Sequence, residues 1–172
     1  GLVTLAGIRW ARAHRIRVWY LSHTRRRRGL LALGRSDAAT GVTALNRAVA
    51  FEGSKLMLYT VNYRCRLALS VLMPVASFGV TSQKDLYNGA VSVDWDHYLD
   101  PRMSFAVTAV VNSELLTHSG YAGLVVKDAI ADFFRRLNLE RPSVDAREPD
   151  LLVNVHISNN RVTLSLDSTV VP

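Results

Sequence analysis

A change of hydrophobic period near the carboxyl end constrains the fold of this chain most. Between residues 119 and 137, apolar side chains recur at spacings of three and four: Val126, Ile130, Phe133, Phe134 and Leu137. This spacing predicts an amphipathic helix from Ser119 or Gly120 to about Leu137. Apolar and polar residues then alternate over 151–166, on both sides of Ser158-Asn159-Asn160, which predicts a β-hairpin. A helix followed by strands predicts an α/β or α+β fold with helices packed on a sheet.

Two apolar segments in the first third of the chain predict strands. Residues 15–21 alternate so that Ile16, Val18 and Tyr20 share one face. The segment Val42–Phe51 lies between two glycines and predicts one further strand, in which Val49 and Phe51 point the same way.

The middle of the chain predicts helices interleaved with strands. Ser54 is a suitable N-cap for a helix that ends near Asn62. The apolar segment Leu67–Phe78 predicts a strand, with an edge or a bulge at Pro74. The later elements are a helix opened by Ser82 and Asp85 and running through Ala90, a loop over Asp94–Pro101 anchored by Trp95 and Tyr98, and a strand over Phe105–Val111.

Positive charge is concentrated at the amino end. Residues 1–51 contain ten arginines and one acidic residue, a net charge of +9, whereas residues 52–172 contain eleven basic and thirteen acidic residues, a net charge of −2. Four of the arginines are consecutive, Arg25–Arg28, and precede a predicted short helical piece at 29–34. This asymmetry indicates a nucleic acid or another anionic partner. It carries no sequence specificity, because phosphates are the same in every sequence.

Cysteine content and hydropathy exclude two classes of protein. The single cysteine, Cys65, excludes a disulfide framework within the chain and fits a reducing cytoplasm. No apolar run reaches the roughly 18 residues that a membrane-spanning helix needs, so we expect a soluble, cytoplasmic protein. The chain begins at Gly1 without an initiator methionine, which suggests a fragment or a processed product.

Motifs of common enzymes are missing from the sequence. It has no glycine-rich strand-to-helix loop of the type that binds dinucleotides or phosphates, and its five histidines lack metal-ligand spacing. We therefore predict no catalytic residue and no metal ligand. Two alternatives stay open: a site at His118, and an acidic cluster in the predicted loop formed by Asp94, Asp96 and Asp100.

Basic and aromatic residues near the long predicted helix are better candidates for binding. Lys127, Arg135 and Arg136 are expected on its polar side, and Arg141 follows its end. Arginine can bind phosphate through two hydrogen bonds and lysine acts as a point charge. Tyr121, at the start of the helix, has a ring that can stack on an unpaired base. An ordinary solvated helix face, with Tyr121 packed at the helix start, is the alternative.

Several segments of the chain resemble the THUMP domain. They are Val126–Asp132, Arg141–Asp145, Pro149-Asp150, Val153–Val155 and Leu164–Asp167. More narrowly, they resemble the amino-terminal region of bacterial 23S rRNA guanine-N2 methyltransferases of the RlmL type, over about residues 45–167. Upstream segments agree with the same family: Arg66–Ala68, Asp85–Tyr87, Asp94-Trp95 and Phe105–Val107.

The resemblance implies a domain organisation. It implies a ferredoxin-like amino-terminal segment packed with a THUMP domain that contains a mixed sheet and flanking helices. We accordingly expect a basic, partly ferredoxin-like segment over 1–53, a THUMP domain over 54–167 and a divergent tail over 168–172. By match to the family motif, Arg66 and Lys127 are expected to contact RNA, and Asp128 to order the helix.

The resemblance also implies a role in RNA binding without catalysis by this chain alone. The chain is expected to recognise structured RNA, chiefly large-subunit rRNA. It would present that RNA to a methyltransferase domain of the parent protein, absent from this chain, that uses S-adenosylmethionine; the chain itself holds no cofactor. The expected RNA-binding residues are Arg66, Tyr121, Lys127, Arg135, Arg136 and Arg141. The alternatives are an inactive fragment of that methyltransferase and a small enzyme with a site near His118.

Overall fold

The computed structural model describes residues 16–21, 40–45, 48–64, 70–113 and 119–169. The chain divides into two compact units: the first unit comprises residues 1–74 and 167–172, and the second comprises residues 75–166. In chain order the elements are β1 (Ile16–Leu21), β2 (Thr40–Leu45), β3 (Ala48–Gly53), α1 (Lys55–Arg64), β4 (Ser70–Gly79), α2 (Gln83–Val91), a short 3-10 helix (Trp95–His97), β5 (Ser104–Asn112), α3 (Ser119–Arg136), β6 (Ser143–Val144), β7 (Leu151–Ser158) and β8 (Arg161–Asp167).

The first unit has the strand order of a ferredoxin-like sheet. Its strands lie in the order β2-β3-β1-β4, and the pairs β1–β3, β1–β4 and β2–β3 are antiparallel. Helix α1 connects β3 to β4, as in a β-α-β-β-α-β fold. This arrangement confirms the ferredoxin-like segment and the predicted strand at the start of the chain. The arginines at 25–28 and the predicted helical piece at 29–34 lie outside the described residues.

The prediction of one strand over Val42–Phe51 was wrong. The segment forms two strands, and Leu45 of β2 is the antiparallel partner of Ala48 of β3, so the chain reverses direction inside the predicted strand. The two halves are similarly apolar and no glycine or proline marks the reversal, which is why the run looked continuous. The prediction that Val49 and Phe51 point the same way is confirmed, because both are buried.

Helix α1 begins at its predicted cap. The amide of Met57 donates a hydrogen bond to Ser54 Oγ at 3.3 Å, and the helix continues to Arg64, two residues beyond the predicted end. Met57 and Val61 lie one turn apart and are buried. A Cβ added at Gly53 would lie 2.9 Å from Met57 Cγ, so the close approach of this side chain to the end of β3 depends on glycine.

Strand β4 contributes residues to both units. Its pairing with β1 covers Ser70 to Leu72. Pro74 lies two residues after Leu72, the last residue of β4 that is paired with β1, and proline has no amide hydrogen to donate to a neighbouring strand. The strand continues to Gly79 and lies between β1 and β8. The start of the predicted strand, residues 67–69, lies outside the described residues.

The second unit is built on a mixed sheet. Its strands follow the order β4-β8-β7-β5-β6, and β5 is parallel to both β6 and β7. Parallel neighbours need a long crossover connection, and α3 supplies it between β5 and β7. The predicted hairpin is confirmed: β7 and β8 are adjacent and joined at Asn159-Asn160. Asn159 has a φ of 53°, a left-handed conformation that asparagine tolerates.

Helix α3 buries most of its predicted apolar stripe. Val126, Ile130 and Phe134 are fully buried, as are Val153, Val155 and Ile157 of β7. Each large side chain withdrawn from water in this way stabilises the fold by about 1.5–3 kcal/mol. Phe133 is half-buried.

The inclusion of Leu137 in the stripe was wrong, since 47% of its surface is exposed. Asn138, with a φ of 54°, ends α3 in a Schellman motif. The amides of Asn138 and Leu139 donate to the carbonyls of Arg135 and Phe134, both at 3.1 Å. The helix therefore ends at Arg136, before Leu137 can join the buried face.

Helix α2 begins with the predicted cap. The amide of Asp85 donates to Ser82 Oγ at 3.2 Å, and the amide of Ser82 donates to Asp85 Oδ2 at 3.0 Å, which is a capping box. Hydrogen bonds from Thr81 and Ser82 lower the pKa of Asp85. After the helix, Trp95 is buried and its Nε1 donates to the carbonyl of Ala90 at 2.7 Å. The predicted anchoring role of Trp95 is confirmed, although residues 95–97 form a 3-10 turn.

A polar contact links α2 and α3. The hydroxyl of Tyr87 donates to Asp132 Oδ2 at 2.7 Å, and Arg135 Nη1 lies 2.5 Å from Asp132 Oδ1. The sequence also offers Arg136, four residues after Asp132, as a partner, but the carboxylate bonds the arginine three residues on. Both spacings are favourable on a helix, and Tyr87 occupies the other carboxylate oxygen. The position of Tyr87 relative to Asp132 is set only when α2 and α3 pack together.

Substitution of alanine for glycine should have opposite effects at two helical positions. A Cβ at Gly89 would lie 2.5 Å from Cζ of Phe78, whereas a Cβ at Gly123 meets only atoms at 3.9 Å. We expect Gly89→Ala to lower the free energy of unfolding by about 1–3 kcal/mol through overpacking. Gly123→Ala should raise it by about 0.5–1 kcal/mol through helix propensity. Urea unfolding followed by circular dichroism measures both; equal effects would contradict the packing of Phe78 on α2.

Removal of the Asp132 carboxylate should weaken the contact between α2 and α3. We expect Asp132→Ala to lower the free energy of unfolding by about 1–2 kcal/mol, because the hydrogen bonds of Tyr87 and Arg135 to a charged group are lost. Asp128→Ala is the matched control on the same helix, since the Asp128 side chain is 67% exposed and that of Asp132 is 30% exposed. The prediction fails if both variants unfold at the same urea concentration.

Candidate nucleic-acid interface

The predicted RNA-binding residues are spread along α3 and beyond it. Tyr121 lies in the first turn of this 18-residue helix, with 47% of its surface exposed. Arg141 is exposed and follows the carboxyl end. Because the helix rises about 1.5 Å per residue, these two residues belong to opposite ends of a rod about 27 Å long. Arg66 lies outside the described residues.

The basic residues of α3 do not share one narrow face. At about 100° of rotation per residue, Lys127 and Arg136 project from nearly opposite sides of the helix axis. Lys127 is half-buried, whereas Arg135 and Arg136 are exposed. The structure thus brings Arg135 and Arg136 together at the carboxyl end and sets Lys127 apart, along another edge of the exposed surface.

Acidic side chains accompany two of these cations. Arg135 is paired with Asp132, and Lys127 Nζ lies 4.0 Å from Asp128 Oδ1. Arg136 lies near the Tyr87 hydroxyl: the hydrogen bond to Asp132 raises the pKa of Tyr87, and Arg136 lowers it in part. Cations in the last turn also offset the negative end of the helix dipole. Phosphate contact by Arg135 therefore requires it to exchange or share its bond with Asp132.

The two compact units carry opposite net charge. The first unit contains thirteen basic and three acidic residues, a net charge of +10, and the second contains eight basic and eleven acidic residues, a net charge of −3. The attraction for a polyanion therefore resides in the ferredoxin-like unit. The six residues proposed from the sequence belong, except for Arg66, to the negatively charged unit.

Two aspartates of the 94–100 segment, Asp96 and Asp100, are engaged in local contacts. Asp100 Oδ1 accepts a hydrogen bond from Arg102 Nε at 3.1 Å, and hydrogen bonds from Arg102 lower the pKa of Asp100. Asp96 Oδ1 lies 3.7 Å from His97 Nδ1. Across the described ranges, no group of three or more histidine, cysteine, aspartate or glutamate side chains is placed to hold a metal ion. His118 lies outside those ranges.

One exposed apolar surface, on α1, was not predicted from the sequence. Leu56, Tyr59 and Tyr63 are exposed on the side of the helix away from Met57 and Val61. We call these three residues the outer face of α1. Their spacing of three and four, offset from that of the buried pair, groups them on one side of the helix. The spacing alone does not say which side of the helix is buried.

No helix within the described parts of the chain is both long enough and apolar enough to cross a membrane.

Comparisons with known proteins place the chain in a family. The profile of the THUMP domain matches residues 80–167. The chain is 37% identical over 138 residues to the ribosomal RNA large subunit methyltransferase K/L of Cellvibrio japonicus. This match covers 80% of this chain and 18% of that protein. It is 40% identical over 121 residues to a protein of Synechocystis sp. with a provisional RNA methyltransferase name, over 70% of this chain and 32% of that protein. The chain thus spans a third or less of the length of these relatives.

The fold agrees with solved structures. A "predicted N6-adenine-specific DNA methylase" from Listeria monocytogenes superposes with a TM-score of 0.77 at 18% identity, over 93% of this chain and 42% of that one. At this identity the likeness shows the fold alone. The THUMP match covers α2, α3 and strands β5 to β8. The similarity to the methyltransferase of Cellvibrio japonicus covers 138 residues and so also includes part of the chain before residue 80. As its resemblance predicted, the chain belongs to the THUMP domain family.

Proposed function

We propose that this chain is an RNA-binding module that holds structured RNA of the large ribosomal subunit for a methyltransferase domain of the parent protein. One observation carries the proposal: a THUMP match over residues 80–167, in a chain 37% identical over 138 residues to a large-subunit rRNA methyltransferase. The location that goes with this role is the cytoplasm, in keeping with the single cysteine.

The charge of the ferredoxin-like unit supports RNA as the partner. A net charge of +10 in that unit attracts a polyanion at long range and releases the counterions condensed on it. This attraction does not distinguish one RNA from another. Affinity in this proposal therefore comes mainly from the first unit.

Orientation of the RNA is the role we assign to the second unit. Its net charge of −3 disfavours indiscriminate contact with phosphates, so its contacts are few and depend on the shape of the RNA. Lys127, Arg136 and Arg141 are the cations that we propose for these contacts. Arg135 joins them when its bond to Asp132 is shared, and Tyr121 offers a ring to an unpaired base.

Methyl transfer belongs, in this proposal, to the methyltransferase domain, with S-adenosylmethionine as the methyl donor. The residues of this chain do not fit that cofactor, because the sequence has no glycine-rich turn between a strand and a helix. The contribution of the chain is to bind the RNA and to orient it, and no step of methyl transfer is assigned to its residues.

Binding of the full chain to structured rRNA should weaken steeply with salt. We expect the logarithm of the binding constant to fall linearly with the logarithm of salt concentration, with a slope of about −0.7 to −0.9 for each phosphate neutralised. Fluorescence anisotropy with a labelled rRNA hairpin measures the slope, and a homopolymer strand of equal length is the control for structure. Salt-independent binding, or binding to the homopolymer alone, would contradict the proposal.

Replacement of Lys127 should reduce RNA affinity without reducing stability. We expect Lys127→Ala to weaken binding several-fold and to reduce the salt slope by about 1, as for loss of one phosphate contact. The free energy of unfolding should change by less than about 0.5 kcal/mol. Lys84→Ala, which removes an exposed lysine of α2, is the control for loss of one charge. Equal loss of affinity in the two variants would mean that Lys127 makes no specific contact.

A further inference from the structure

The outer face of α1 is apolar and aromatic although it faces solvent. Tyr63 has 91% of its surface exposed, Leu56 74% and Tyr59 43%. Isolated exposed apolar residues are ordinary, but a contiguous group marks an interaction surface. Helix α2 shows the ordinary arrangement, because its exposed positions are polar: Gln83, Lys84 and Asn88.

Helical geometry makes the three side chains neighbours. Tyr59 lies three residues after Leu56 and four before Tyr63, so all three fall within an arc of about 60° around the helix axis. The buried residues Met57 and Val61 lie on the other side. The core contacts of α1 thus use one side of the helix, whereas Leu56 and Tyr63 on the other side are largely exposed.

The sequence of α1 and the unit that contains it carry positive charge. Helix α1 begins with Lys55, ends with Arg64 and contains no acidic residue, and Arg66 follows two positions later. The whole unit carries a net charge of +10. Exposed aromatic side chains in a positively charged domain are a combination found in proteins that bind single-stranded nucleic acids, since the bases stack on the rings while the positive charge attracts the phosphates.

We propose that the outer face of α1 is a stacking site for unpaired nucleotides of the bound RNA. Tyr63 presents its ring to a base, and Leu56 and the exposed part of Tyr59 extend the apolar surface beside it. The phosphates of the same strand are attracted by the net positive charge of the unit. This inference rests on the proposed RNA-binding function and adds to it a ligand class and a site in the ferredoxin-like unit.

The charge also argues against other occupants of this surface. A second copy of the chain would bring two units of +10 together, and like charges oppose such an association. A protein partner would have to offer an acidic and apolar surface of matching shape. An unpaired RNA strand is both negatively charged and able to stack on an aromatic ring, because each nucleotide carries a phosphate and a flat base.

The test compares Tyr63 variants of the full chain on two RNAs of equal length. One RNA is an rRNA hairpin with a single-stranded tail, and the other is fully paired. We expect Tyr63→Ala to weaken binding to the tailed RNA by about 5- to 100-fold, the effect of losing one base–ring stack. Tyr63→Phe should retain the affinity, and binding to the paired RNA should not change. The salt slope should also stay the same, because no phosphate contact is removed.

Two control variants distinguish stacking from other effects. Tyr63→Leu keeps an apolar side chain without a ring and should weaken binding to the tailed RNA as Tyr63→Ala does. Leu124→Ala removes an apolar side chain that is 51% exposed on α3 and should leave the affinity unchanged. Circular dichroism confirms that each variant is folded, as the exposure of Tyr63 leads us to expect.

Three outcomes would overturn the stacking site. They are unchanged affinity of Tyr63→Ala for the tailed RNA, full affinity of Tyr63→Leu, and a dimer of the wild-type chain that Tyr63→Ala dissociates in analytical ultracentrifugation. Failure of the wild-type chain to bind either RNA would instead remove the RNA-binding function itself. The two proposals can therefore fail separately.

Discussion

Burial of one stripe of α3 against the sheet, where it packs mainly on β5 and also on β7, is the interaction on which the second unit depends. Val126, Ile130 and Phe134 are fully withdrawn from water, as are the strand residues Val153, Val155 and Ile157. The parallel alignment of β5 and β7 requires a crossover connection, and α3 provides it. Once this stripe is buried, the direction of every other side chain of the helix is set, because each residue advances about 100° around the axis.

The candidate interface on α3 follows from that constraint. Lys127 lies along one edge of the exposed surface and Arg136 along another, so the cations of this helix do not form one continuous patch. Asp132 adds a second restriction, because its carboxylate is shared between Tyr87 of α2 and Arg135. A surface of this kind suits recognition of a folded RNA by a few placed contacts better than a continuous track of phosphates.

The distribution of charge separates two physical tasks between the units. The ferredoxin-like unit, at +10, supplies long-range attraction, whereas the THUMP unit, at −3, opposes nonspecific binding of phosphates. In our proposal the outer face of α1 adds stacking to the positively charged unit, a short-range interaction that depends on unpaired bases. Attraction, stacking and shape together would allow the chain to select and orient an RNA.

The sequence by itself determined the elements whose signals are local. The stripe of α3, the caps at Ser54 and Ser82 and the turn at Asn159-Asn160 depend on residues a few positions apart, so their spacing is enough to predict them. Tertiary structure alone decided the reversal between Leu45 and Ala48, the partner of Asp132 and the exposure of Leu137 and Tyr63. These features depend on which surfaces meet across distant parts of the chain. An apolar residue has the same local pattern whether its face is covered or left open to a ligand, and only the packed structure separates the two.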